Sequence, residues 1–319
     1  MDPGRVAALL EAARTERSAA LLLWVDGDLV IDEAFGSDPR SGLFAMSVSK
    51  SVVALRVGQL VDAGLLELDA PLSASVMPEW MDTDKETITL RHLLSHTSGL
   101  DPQRYGNDAK SFRHATIEEH AQRTPLVAPV GETFAYNNNA VDILAVIVRR
   151  ATSNGMALDD QLQAGLFGPL DIAGAYWMKD GRGDPRASGE LVIRPHDLLK
   201  IGRLVLDRGM YGPERLLSKA WIDTMLEPGP NEGCGLLWWL DRREGDSEVA
   251  AYVADGYLGQ YIVVIPEFRA VAVRMRDPNT TSWSPEEFTY PEFRRDVLQL
   301  FTGGAARSRP RAATEPPQP

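Results

Sequence analysis

With one cysteine, Cys234, in 319 residues, the chain can form no internal disulfide framework, and a thiolate metal cluster lacks its ligands. Positive charge is also short. Lys and Arg number 33 against 45 Asp and Glu, a formal charge of −12, the wrong sign for gripping a phosphate backbone or an anionic membrane surface. The expectation is no nucleic-acid partner and no membrane partner. Long apolar runs are missing too: Ala19–Val25 is too short to span a bilayer and is cut off by Asp26. Met1-Asp2-Pro3-Gly4 puts no basic stretch before an apolar core, so the protein is expected to be cytoplasmic. No fixed-period repeat is visible, which argues against a solenoid or propeller. Neither a Gly-x-Ser-x-Gly elbow nor a Gly-rich phosphate loop occurs, so a serine triad of the α/β-hydrolase kind lacks its main signature.

What is present is an ordinary globular composition, 44% hydrophobic and 24% charged, in a length that suits one large domain or two interleaved ones. Residues Val6 to Arg14 read as a short helix. Ala19–Val25 and Leu29–Phe35, separated by Asp26-Gly27, read as a β-hairpin. From Ser47 to Ala63 apolar residues recur at helical spacing on nearly every face, and Gly64 supplies the stop, so this helix should be buried. Residues 69–154 hold five prolines between short helical patterns such as Ile88–Ser95 and Ala140–Thr152, with no alternating strand pattern. Helices follow at Pro195–Leu206 and Ser218–Leu226. Cys234–Leu240, Val249–Ala254, Gly259–Ile265 and Ala270–Arg276 are rich in aromatic and β-branched residues and read as strands. Strands at both chain ends with helices between them predict a discontinuous sheet domain, 1–70 and 180–302, with a helical subdomain inserted at 71–179. The Gly-, Ala-, Arg- and Pro-rich tail, 303–319, is expected to be disordered.

Chemistry concentrates at Ser47-Val48-Ser49-Lys50. One helical turn sets the Ser47 hydroxyl beside the Lys50 amine, which can take or share the serine proton. The competing reading is a helix-capping serine followed by a surface lysine. Such a site needs a further proton shuttle, and two Tyr-x-Asn triplets offer one. Tyr105-Gly106-Asn107 lies in a polar stretch that reads as an ordinary loop, although Tyr105 could reach a cleft and touch substrate. Tyr136-Asn137-Asn138 leads straight into a helix, and Tyr136 is the preferred partner.

These residues carry a resemblance. Phe44 to Lys50, Leu90-Arg91-His92-Leu93-Leu94-Ser95-His96-Thr97-Ser98-Gly99-Leu100 and Gly131 to Asn138 together resemble the serine β-lactamase and penicillin-recognising hydrolase family. The class C-related esterases and the 6-aminohexanoate-dimer hydrolase group are the most similar branches. The similarity runs from about Leu22 to Phe301. It implies an α+β fold, an antiparallel sheet flanked by helices with an inserted all-helical subdomain, and an active site in the cleft between them. It also implies Ser47 as acyl-accepting nucleophile, Lys50 as its proton partner, Tyr136 as general base and Asn138 as an orienting donor, with neither metal nor organic cofactor. The family's third motif, Lys-Thr-Gly or His-x-Gly, aligns with Ala254-Asp255-Gly256, so its cation is absent and Asp255 would repel a substrate carboxylate. β-Lactamase and peptidase activity are therefore less expected than cleavage of a small-molecule ester or amide. Gly256 would let substrate approach the strand closely, and the backbone N–H groups of Ser47 and Tyr257 are the expected oxyanion donors.

His92 and His96 have zinc-ligand spacing, but Leu93 stands where a metalloprotease needs Glu, and a capped helix end is the plainer reading. Cys234 reads as a buried inert thiol. Trp238 and Trp239 should point to opposite sides of a strand, so at most one faces the core; core packing is the plainer reading for each, and Trp238 is also a candidate wall of an acyl pocket. The alternatives to hydrolysis are acyl transfer to an alcohol or amine by the same acyl-enzyme, and a catalytically silent binding protein on the same scaffold. Oligomeric state is not legible.

Overall fold

The computed structural model describes residues 1–36, 38, 41–103, 116–242, 248–277 and 290–301. Helix α1 (Pro3–Thr15) leads into β1 (Ser18–Val25) and β2 (Asp28–Ala34), with the two-residue turn in the expected place. Asp26 and Gly27 have φ of 44° and 114°, the left-handed pair that matches the twist of the flanking strands. The short β3 (Leu43–Phe44) precedes α2 (Val48–Asp62). Helices α3 (Leu90–Leu94), α4 (Ile117–Arg123), α5 (Asn138–Arg150) and α6 (Leu158–Leu162) follow, then β4 (Tyr176–Trp177), β5 (Leu191–Ile193) and α7 (Pro195–Leu206). The ribbon β6 (Met210–Tyr211) and β7 (Glu214–Arg215) precedes α8 (Lys219–Met225). The chain then supplies β8 (Trp239–Arg242), β9 (Val249–Gly256), β10 (Gln260–Ile265), β11 (Ala270–Arg276) and α9 (Tyr290–Gln299).

Six strands form an antiparallel sheet in the order β2-β1-β11-β10-β9-β8. The β1–β11 pairing joins the two ends of the chain, from Trp24 opposite Val271 to Leu21 opposite Arg274. Both faces are covered. Leu22, Ala254, Ile262, Val264, Val271 and Val273 face the main core with α2 and α7, while Leu21, Leu23, Val253, Tyr261, Val263 and Ala272 meet α1 and α9. This explains why the stretches Tyr261–Ile265 of β10 and Ala270–Val273 of β11 read as apolar runs rather than alternating ones. Helix α7 lies close because Gly202 faces the sheet: a Cβ there would sit 2.5 Å from Val271 and 2.8 Å from Ile262.

One strand expectation needs correcting. Cys234–Leu240 is not a single strand: β8 starts at Trp239, and Leu237 is turned over with φ of 60°. The preceding segment is held by contacts to helices instead, with the Leu237 N–H donating to Leu94 O at 3.0 Å and Ser51 Oγ donating to Leu237 O at 2.7 Å. Tertiary packing overrides β propensity there. Among the described residues no helix is long and apolar enough to cross a membrane.

Candidate active site

The site starts at a reversal of the chain. Ala45 N–H still donates to Leu191 O at 2.8 Å, continuing the β3–β5 pairing, and Met46 then adopts φ of 49°, a left-handed conformation unusual for a side chain this size. That bend points Ser47 out of the sheet at the head of α2. Serine at such a position normally caps the helix with its hydroxyl. Ser47 makes no capping bond. Its Oγ instead receives Lys50 Nζ at 2.9 Å and the Tyr136 hydroxyl at 2.8 Å.

A helix start ordinarily leaves its first N–H groups free, but this one does not. The N–H groups of Val48, Ser49 and Lys50 close tight turns onto Ala45, Met46 and Ser47 carbonyls, so they do not face a reacting group. The Ser47 N–H donates to no acceptor among the described residues. Gly256, at the end of β9, presses on the same turn: a Cβ at Gly256 would lie 2.6 Å from Ala45 O and 3.2 Å from Val48 Cγ2. Tyr257 opens the three-residue turn to β10, its side chain about half exposed. Gln260 fixes that turn from below, exchanging two 3.0 Å hydrogen bonds with the Arg276 main chain.

Lys50 is buried, and its amine also donates a short hydrogen bond to the Ser188 carbonyl. The Ser188 N–H in turn donates to Asp142 Oδ1 at 2.7 Å. Asp142, one turn into α5, thus orients the peptide that holds the lysine. Neither Ser188 nor Asp142 carries a sequence signal, because both act through a main-chain group 138 residues from Lys50. Lys50 Nζ also lies 4.9 Å from the centre of the Tyr136 ring.

Tyr136 stands in an aromatic corner. His96 contacts it at 4.7 Å between ring centres, and Trp239 lies nearly parallel at 6.3 Å, with Phe134 beside both. The two tryptophans do diverge, but in a way that corrects the expectation for Trp238. Trp238 is fully buried, its Nε1 donating to Ser51 O at 3.3 Å beneath α2, so it is core rather than pocket wall. Trp239 is the tryptophan beside the tyrosine. Asn138 begins α5 two residues after Tyr136, and among the described residues it makes no hydrogen bond to Ser47 or Lys50. Its neighbours are structural: Asn137 Oδ1 caps α5 by accepting from Ala140 N–H, and Asn139 donates to Asp101 O and Gln103 O. Tyr105 lies outside the described residues.

The third-motif residues also separate by face. Ala254 is buried in the main core, on the side of α2. Asp255 points the other way, where Tyr261 and Tyr290 feel its charge, so it does not confront a substrate carboxylate as expected. Burial pushes its carboxyl up to about 7. His92 and His96 do not converge on a metal: His92 Nδ1 accepts from Thr89 N–H, and His96 Nδ1 accepts from Asn137 N–H, each at 3.2 Å. Cys234 is buried, which pushes its thiol up to about 12 and keeps it unreactive.

A serine hydroxyl gripped by a lysine one turn away and by a tyrosine from another element has the arrangement that nucleophilic catalysis requires, an acceptor of the serine proton within hydrogen-bond reach. The beta-lactamase family model matches residues 6–287, and the chain belongs to that family, whose members are serine hydrolases. The 6-aminohexanoate-dimer hydrolase of Paenarthrobacter ureafaciens is 25% identical over 86% of this chain and 77% of its own length. Esterase EstB of Burkholderia gladioli is 31% identical, over 48% of this chain and less than half of the esterase, 46%. The fold is that of a penicillin-binding protein from Bacillus halodurans, with a TM-score of 0.73, 18% identity and coverage of 94% of this chain and 100% of the other.

Proposed function

We propose that the protein cleaves a small, uncharged ester or amide through an acyl-enzyme on Ser47. The observation that carries this reading is the meeting of Lys50 Nζ and the Tyr136 hydroxyl on Ser47 Oγ, at 2.9 and 2.8 Å. Ser47 Oγ bonds to the substrate carbonyl carbon while its proton passes to the Tyr136 oxygen, which the nearby Lys50 ammonium favours in its phenolate form. The carbonyl π pair moves to oxygen and is met by the N–H groups of Ser47 and Tyr257. The tetrahedral adduct collapses, the bond to the leaving group breaks, and the proton held by Tyr136 goes to the departing alcohol or amine. Water then repeats the sequence on the acyl-enzyme, freeing the acid and restoring Ser47.

Two features support an uncharged substrate. Position 254 offers alanine, buried against α2, where a penicillin-recognising site needs a cation, and Trp239 and Phe134 add apolar surface beside Tyr136. The names of the relatives, one a 6-aminohexanoate-dimer hydrolase and one an esterase, support a hydrolytic reading of the site. An alcohol or amine that displaces water would turn the same intermediate into acyl transfer.

The test is intact-protein mass after a fluorophosphonate probe, with turnover of p-nitrophenyl acetate, p-nitrophenyl butyrate and a chromogenic cephalosporin. Wild type should gain one adduct and turn over the esters far faster than the cephalosporin, and Ser47→Ala should lose adduct and turnover together. Folded wild-type protein with neither adduct nor turnover overturns the reading in favour of a binding protein, and an adduct surviving Ser47→Ala means another nucleophile.

A further inference from the structure

Two helices of the molecule end in the same way with different residues. At the end of α2, Gly64 has φ of 68°, Leu65 N–H returns to Leu60 O and Gly64 N–H to Val61 O. This six-to-one and five-to-two pattern is one in which glycine is the ordinary choice. At the end of α3, Thr97 N–H returns to His92 O and His96 N–H to Leu93 O, and the left-handed residue is His96, at φ of 57°. A β-carbon in that conformation is strained. Nothing about the helix end requires histidine. The side chain is 3% exposed, and burial, with the Lys50 charge nearby, depresses the imidazole to about 3, so it is neutral at working pH.

His96 grips both flanks of Tyr136. Its carbonyl accepts from Ala135 N–H at 2.8 Å, its Nδ1 accepts from Asn137 N–H at 3.2 Å, and its ring rests against the tyrosine ring between them. Accepting at Nδ1 places the imidazole proton on Nε2. From these contacts we infer that His96 is a positioning residue for the reaction, setting the Tyr136 hydroxyl on Ser47 by accepting the Asn137 N–H. The inference rests on the Ser47–Lys50–Tyr136 reading above. The acceptor matters more than the ring: without it the buried Asn137 N–H is unsatisfied and the tyrosine loop shifts, and displacements of about 1 Å near reacting atoms cost on the order of 10²-fold.

The test compares two variants of the full chain. His96→Phe keeps a ring and removes the acceptor; His96→Asn keeps an acceptor where Nδ1 stands and suits the left-handed backbone. With p-nitrophenyl butyrate, His96→Phe should lower kcat about 30-fold with KM within about twofold, and slow fluorophosphonate labelling of Ser47 in parallel. His96→Asn should keep kcat within about threefold. In a Tyr136→Phe background, His96→Phe should cost less than about twofold more, because the effect passes through that tyrosine. Wild-type kcat in His96→Phe, equal loss in both variants, or an undiminished cost in the Tyr136→Phe background overturns the inference. If His96→Phe does not fold, a folded His96→Asn losing more than about tenfold overturns it, and one within threefold upholds it. Ser47→Ala and Tyr136→Phe with full turnover would sink the serine–tyrosine reading itself, whatever the His96 variants do.

Discussion

Lys50 and Lys85 are both buried lysines whose amines donate to main-chain carbonyls, and their surroundings have little else in common. Lys85 spans the loop before α3 and the end of α4, donating to Ala121 O at 3.2 Å and Gln122 O at 2.6 Å. Those carbonyls end a helix and have no intrahelical partner, so the lysine is a structural cap, and burial pulls its amine below the ordinary lysine range. Lys50 spends one donor on the Ser188 carbonyl and aims another at a hydroxyl that a tyrosine also holds. Burial of an amine is therefore not a sign of chemistry. What distinguishes the two is whether a serine hydroxyl shared with a tyrosine is among the acceptors.

The strongest way to break this contrast is to remove each amine in turn. Lys50→Met should lower ester turnover by about 10³-fold, the scale of losing a positioned proton partner, while Lys85→Met stays within about twofold. Equal losses measured by steady-state kinetics would erase the distinction. Next in size is the tryptophan pair, which repeats it: Trp238→Ala should destabilise the protein by about 3–5 kcal/mol through loss of a fully buried side chain. Trp239→Ala should instead raise KM for butyrate esters, and a melting curve beside a kinetic titration separates the two. Lys85→Met should itself cost about 1–3 kcal/mol, read by chemical denaturation, because two helix-end carbonyls lose their donor.

The smallest effect concerns a partly buried group, Asp255, whose carboxyl is raised to about 7 by burial. A carboxyl raised in the folded state costs nothing below the unfolded value near 4, where it is protonated in both states, and destabilises progressively as pH rises from there towards 7. Asp255→Asn should match wild type in melting temperature at pH 4 and exceed it by a few degrees at pH 8. A constant difference across that range would show that the carboxyl does not titrate as its burial dictates.

How much of this was legible beforehand follows from range. The hairpin at Asp26-Gly27, the buried helix from Ser47 and the stop at Gly64 are set by residues within a turn or two of one another. So is the neighbourhood of Ser47 and Lys50, and all were readable. The Trp238 and Trp239 alternation was readable as a divergence, yet which ring faces Tyr136 depended on the bend at Leu237, which packing against α2 and α3 imposes. Asp255 aligns with a cleft motif yet lies on the opposite face, because a motif match fixes order along the strand and not which face each neighbour takes.

The sequence by itself determined that Ser47 and Lys50 stand side by side, because three residues along a helix are one turn in space whatever the rest of the chain does. It also pointed to the buried strands, because the short, β-branched runs Tyr261–Ile265 and Ala270–Val273, with Gly259 and Pro266 bounding the first, suit a strand covered on both faces. Only the tertiary structure decided that Tyr136, 89 residues away, reaches Ser47. The same is true of the Ser188 carbonyl that holds Lys50 and of the His96 acceptor beside Tyr136. The last two contacts depend on main-chain groups, which every residue carries alike, and all three depend on where the loops ending at them come to rest.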